Sequence, residues 1–95
     1  MGFRIEKTDL YDRWFDHQTP KFKGQIEKRL SNIKNEGHFG HAKQLTKNLA
    51  EIKFNNGSRI YFTVKEEQGK IVLLLLGGNK NGQSKDIKKA QSLLD

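Results

Sequence analysis

Along Leu49 to Lys80 the hydrophobic pattern alternates twice and then becomes continuous. In Leu49-Ala-Glu-Ile-Lys-Phe54, the residues Ala50, Ile52 and Phe54 fall on one side of an extended chain; Leu49, Glu51 and Lys53 fall on the other. In Ser58-Arg-Ile-Tyr-Phe-Thr-Val64, the residues Ile60, Phe62 and Val64 oppose Arg59, Tyr61 and Thr63. The third run, Ile71-Val-Leu-Leu-Leu-Leu76, is apolar at every position, which suits a strand covered on both faces. Turn residues Asn55-Asn-Gly57 and Lys65-Glu-Glu-Gln-Gly69 separate the runs, so the stretch predicts an antiparallel meander.

The first turn sets the register. A two-residue Asn56-Gly57 loop would pair Phe54 with Arg59 and place a charge among core residues. A three-residue loop, Asn55-Asn56-Gly57, with Gly57 left-handed in a bulge, avoids this. It pairs Phe54 with Ser58, Ile52 with Ile60 and Ala50 with Phe62, and on the other face Lys53 with Arg59 and Glu51 with Tyr61. Two cations opposed across a ladder are destabilising, unless they splay into water or bracket an anion such as a phosphate.

Upstream, Phe3-Arg-Ile-Glu6 predicts an edge strand, and Thr8-Asp9 caps a short helix through Phe15 with Leu10 and Trp14 inward. Thr19-Pro20 starts a second helix whose apolar stripe is Phe22, Ile26, Leu30 and Ile33, ended by Gly37. A loop from His38 to Asn48 follows. After the meander, Gly77 to Gln83 predicts a flexible corner, and Ser84 caps a last helix with Asp86 in its first turn and Ile87, Ala90 and Leu94 on one side. The order is β-α-α-β-β-β-α: an α+β fold, an antiparallel sheet with helices packed on one face and the other face open.

Composition narrows the function classes. Residues 1–95 are read as one domain with a small core. No run of about 18 apolar residues exists to span a membrane, and Met1-Gly-Phe-Arg-Ile-Glu-Lys lacks the apolar core of a secretory signal. Gly2 does not start a myristoylation pattern, because Glu6 stands where Ser or Thr is needed. With no Cys there is no disulfide framework, thiol nucleophile or thiolate zinc site, and the expected location is the cytoplasm. The formal net charge of +7 favours a polyanion or an acidic protein as partner.

Four segments together resemble one family: Leu49-Ala-Glu-Ile-Lys, Arg59-Ile-Tyr-Phe62, Ile71-Val-Leu-Leu-Leu-Leu-Gly-Gly-Asn-Lys80 and Gln83-Ser-Lys-Asp-Ile-Lys-Lys-Ala90. They look like HigB-like addiction-module killer proteins of the RelE/ParE toxin superfamily, and the likeness extends to the Gly37-x-x-Gly40-x-x-Lys43-x-Leu45 loop. The resemblance implies the toxin of a type II toxin–antitoxin system that cleaves mRNA endonucleolytically on the ribosome and inhibits translation. It also implies a cognate HigA-like helix-turn-helix antitoxin, with mRNA and the ribosome as further partners, and no metal or other cofactor. Other superfamily members poison DNA gyrase, and a silent RNA- or partner-binding module is a third reading. Three positions depart from the family pattern. Lys53 stands where Arg is usual, keeping charge but losing the bidentate fork, and His38 and His41 stand where Asn and Asp are frequent.

Such a ribonuclease needs a base for the 2′-hydroxyl, cations around the pentacoordinate phosphorus and an acid for the leaving oxygen. The motif makes Arg59 the first candidate for phosphate, since guanidinium geometry matches phosphate oxygens; the alternative is an ion pair with Glu51. Lys53 and Lys80 are further cations. Glu51 is equally a base or the group that orients Arg59. Tyr61 is a candidate for stacking a base or giving a proton. Lys43, His41 and Gln83 are candidates for holding RNA, as are Lys28 and Arg29 on the basic face of the second helix, with a solvated helix face as the plain alternative. The loop histidines lack the partners of a metal site.

Overall fold

In the computed structural model, which describes residues 2–95, the predicted register of the meander is observed. Strand β3 (Ala50–Lys53) pairs with β4 (Ser58–Glu66) through Ala50–Phe62, Glu51–Tyr61, Ile52–Ile60 and Lys53–Arg59. Gly57 has φ +91°, and its N–H donates to the Phe54 carbonyl while Phe54 N–H reaches Ser58 O, closing the three-residue loop. β5 (Lys70–Asn79) pairs antiparallel with β4 over the length of both strands. A register shift at Tyr61/Phe62 leaves Leu75 unpaired and turns Leu75 and Leu76 to the same side.

Several details depart from the predicted layout. β1 (Arg4–Lys7) joins the sheet parallel to β5, so the sheet is mixed, in the order β1-β5-β4-β3 followed by one more strand. That strand, β2 (Ala42–Gln44), lies where a loop was expected and pairs with the outer edge of β3. All three of its side chains are exposed, so only backbone bonding makes it a strand and no hydrophobic pattern announces it. The Gly-rich corner is also ordered: Gly77 and Gly78 continue β5, and the polypeptide then turns through a 3-10 segment, Lys80–Gly82, into α3 (Gln83–Ser92). Asn79 rather than Ser84 caps that entry, its side chain accepting from Asn81 N–H at 2.9 Å and Gly82 N–H at 3.4 Å.

The two remaining helices start as predicted. Thr8 caps α1 (Asp9–Asp16) by accepting from Tyr11 N–H, and Thr19 caps α2 (Pro20–Glu36) by accepting from Phe22 N–H. Gly37, at φ +70°, ends α2 with its N–H on Ile33 O and His38 N–H on Asn32 O.

The sheet carries two cores. On one face Phe22, Ile26, Leu30 and Ile33 of α2 and Tyr11 of α1 meet Ala50, Ile52, Ile60, Phe62, Val72 and Leu74. The other face, expected open, is covered in its centre by α3: Leu49, Tyr61, Leu75, Leu76 and Ala90 are buried there, flanked by Ile87 and Leu94. The apolar run Ile71 to Leu76 of β5 is thereby covered on both sides. Gly77 and Gly78 are bare because both faces press on them. A Cβ on Gly77 would lie 2.1 Å from the Trp14 ring, and one on Gly78 would lie 2.0 Å from an Asp86 carboxylate oxygen.

Candidate functional site

Register places the candidate residues in two rows across the α3 side of the sheet. One row is Lys43, Glu51 and Tyr61; the next holds Lys53 and Arg59, then Gly78. Lys80 follows directly on β5, its backbone N–H donating to Gly57 O at 2.9 Å. Arg59 Nη1 donates to the same carbonyl at 2.8 Å, and the Lys80 stem lies beside Gly57. The β3–β4 turn thus gathers Arg59 and Lys80 at one end of the sheet.

Glu51 is the hub. Its side chain is 1% exposed, with Oε1 3.5 Å from Arg59 Nε and Oε2 3.9 Å from Lys53 Nζ. From α3, the Gln83 amide donates to Oε1 at 3.1 Å. The opposed cations Lys53 and Arg59 are therefore reconciled by one carboxylate between them, which the facing positions alone would not supply. Arg59 is partly buried rather than exposed, at 14% for its side chain, and Lys53 retains 26%. Of the two roles open to Glu51, orienting Arg59 fits this burial, whereas a general base must reach a solvent-side hydroxyl.

Tyr61 has no exposed surface, so the stacking role expected for it on an open face is closed by α3. Its hydroxyl has no hydrogen-bond partner among the described residues, and burial together with the nearby Glu51 carboxylate pushes its pKa up to about 12. A second carboxyl group, absent from the candidates read off the motifs, belongs to this side of the sheet. Asp86 sits against Gly78, and desolvation raises its pKa against the opposing pull of Lys89 and Lys85. The adjacent glycines inside an apolar strand were the available signal, since bare backbone marks the close approach of another group.

Arg29, expected as a surface contact for RNA, is instead a staple. Its guanidinium donates to the carbonyls of Lys53 (3.1 Å), Phe39 (3.2 Å) and His41 (3.2 Å) and lies 4.9 Å from the centre of the Phe54 ring. Lys28, His41 and Lys43 are exposed, as a contact surface requires. Lys28 and His41 line a depression of about 340 Å³ with Arg29, Lys53, Phe54 and Asn55. A larger depression, about 600 Å³, lies away from these cations between β1 and α2. Arg59 lines neither of these depressions. Among the described residues no three His, Asp or Glu side chains converge as metal ligands.

No protein-family model matches the chain. It is 31% identical over 94 residues, covering 98% of this chain and 94% of the other, to an uncharacterized protein of Haemophilus influenzae. Among solved structures it is similar to a mutant of E. coli toxin RelE in the free state, with TM-score 0.68 and 13% identity over 94% of this chain and 98% of that one. It is also similar to a chain of the toxin–antitoxin complex RelBE2 from Mycobacterium tuberculosis, with TM-score 0.67 and 11% identity over 84% of this chain and all of that one. At such identities the likeness establishes the fold, which is the RelE-like α+β architecture expected from the sequence.

Proposed function

We propose, since the chain belongs to the same family as that Haemophilus influenzae protein and has a RelE-like fold, that it is the toxin of a type II toxin–antitoxin pair. It acts as an mRNA endonuclease of HigB-like type, on the ribosome, and so inhibits translation. The observation that carries the nuclease reading is the pairing of Lys53 and Arg59 with the buried Glu51 carboxylate, with Lys80 beside the Gly57 to which Arg59 also bonds. Glu51 lies at ion-pair distance from Arg59 Nε without a hydrogen bond to it, and the Nη2 group has no hydrogen-bond partner among the described residues. That leaves a guanidinium edge to meet a phosphate.

In the proposed reaction the RNA 2′-oxygen attacks the adjacent phosphorus as its proton passes to a base. The bond from phosphorus to the 5′-oxygen then breaks, and that oxygen takes a proton from an acid. The products are a 2′,3′-cyclic phosphate and a 5′-hydroxyl end. Arg59 and Lys80 stabilise the charge that develops on the phosphorane oxygens, where fixed cations act most strongly. Lys53 and His41 are accessible titratable groups for proton transfer, and Glu51, bonded by Gln83, holds Lys53 and Arg59 in place.

The partner is a HigA-like helix-turn-helix antitoxin that carries acidic residues to these cations. No described helix is long and apolar enough to cross a membrane, and the substrate places the reaction in the cytoplasm.

The test is 5′-end mapping of transcripts shortly after induction without the antitoxin, comparing wild type with Arg59→Ala. New ends within translated regions that vanish in the variant, with its circular dichroism unchanged, are expected. Growth arrest with intact transcripts and broken DNA would replace this reading with gyrase poisoning, and no arrest would leave a silent binding module.

A further inference from the structure

A partly buried cation ordinarily has a carboxylate partner, or loses its charge. Arg29 has neither remedy. A guanidinium stays protonated in proteins, and although burial lowers the pKa of Arg29, among the described residues it enters no ion pair. Its three hydrogen bonds go to neutral carbonyls of residues 39, 41 and 53. Those bonds tie the segment before β2 and the end of β3, which are neighbours through Lys53 N–H on His41 O, to α2, so the wall they share is formed before any ligand arrives.

The lining of that depression is one-sided. It contains Lys28, Arg29, His41 and Lys53 with the amides of Gln25, Asn32 and Asn55, and no Asp or Glu. By contrast, the larger depression beside β1 includes Glu27, and Lys65 on β4 is paired with Glu6 and Glu67. The Phe54 ring, only partly buried, forms an apolar side wall and makes a T-shaped contact with Phe22 at a centroid distance of 5.1 Å. Lys53 is shared, since its side chain also reaches Glu51 beside Arg59.

We propose that this depression is a second phosphate subsite, which takes the backbone of single-stranded RNA next to the phosphate held at Arg59. The uncompensated charge of Arg29 supplies the field, and Lys28 and His41 supply contacts from the solvent side. The Asn and Gln amides are hydrogen-bond donors for phosphate and ribose oxygens. Phe54, partly buried with Arg29 over its ring, offers an apolar contact at the side of the strand. Lys53 joins the two subsites, so one strand runs from Arg59 across β3 toward α2. This inference rests on the RNA-cleaving reading for its choice of polyanion.

The probe is a labelled eight-nucleotide single-stranded RNA, with its cleavable 2′-hydroxyls methylated, titrated by fluorescence anisotropy over a range of salt. Lys28→Ala and His41→Ala alter exposed side chains and leave the Arg29 staple in place. Lys70→Ala, at the distant start of β5, removes the same charge as Lys28→Ala and serves as control. Removing one lysine–phosphate interaction should reduce the slope of log affinity against log salt by about 0.7 on single strands. Lys28→Ala is expected to weaken binding roughly five- to tenfold with that decrease in slope, and His41→Ala to weaken it less, while Lys70→Ala leaves both nearly unchanged. Equal effects from Lys28→Ala and Lys70→Ala, or none from Lys28→Ala, would overturn the subsite. If the RNA binds with this pattern but cellular transcripts stay intact, the cleavage reading fails and the subsite stands.

Discussion

Removing the carboxylate of Glu51 exposes the conflict that the register builds into the sheet. Lys53 and Arg59 face each other across β3 and β4, and Glu51 lies 3.9 Å from one and 3.5 Å from the other. Breaking a buried ion pair from one side costs about 3–5 kcal/mol. Lys53 retains 26% exposure and can swing its ammonium into water, which places Glu51→Ala toward the lower end of that range. The Gln83 amide also loses its acceptor, worth about 1 kcal/mol, so the expected total is roughly 3–4 kcal/mol. With a urea m-value of about 2 kcal/mol/M for a small domain, the unfolding midpoint should fall by roughly 1.5–2 M. Glu51→Gln keeps the volume and an acceptor for Gln83, so it should lose less. Combining Glu51→Ala with Arg59→Ala should cost at least about 1 kcal/mol less than the two single changes summed, because the second change removes the charge left stranded by the first. A midpoint unchanged in Glu51→Ala, or additive losses in the cycle, would refute Glu51 as the group that reconciles the two cations.

Two glycines should respond to alanine in opposite directions. Gly77→Ala drives a methyl into the Trp14 ring, itself held between Tyr11 and Phe22, and should cost about 3 kcal/mol or more in thermal or urea unfolding. Gly24→Ala, on α2 with nothing within 4 Å of its Cβ, should stabilise by roughly 0.5–1 kcal/mol. The two tyrosines, Tyr11 and Tyr61, both have pKa values raised by burial, so absorbance titration of the folded protein should show no tyrosinate step near pH 10. Above the unfolded value of about 10 the unfolded state loses its tyrosine protons first, so stability falls as pH rises through about 12. Tyr61→Phe should remove part of that fall and cost almost nothing at pH 7, because the buried hydroxyl has no partner among the described residues. A tyrosinate step near pH 10 in the folded wild type would contradict the burial of both rings.

The sequence by itself determined whatever depends on local periodicity and turn chemistry. The apolar stripe of α2 and the Thr caps of α1 and α2 were legible, and so was the β3–β4 register, because a one-residue slip would put Arg59 in the core. The face shared by Glu51, Lys53, Arg59 and Tyr61 followed from that register. Tertiary structure decided what lies on top of the face. α3 covers Tyr61, carries Gln83 to Glu51 across 32 positions of sequence and sets Asp86 against Gly78, meetings that no local period encodes. Tertiary structure also made β2 a strand through backbone bonds alone, and made Arg29 a staple because three carbonyls converge on it from the segment before β2 and from β3. Strand alternation assigns a side chain to a face, but burial and ion pairing depend on which distant element comes to rest against that face.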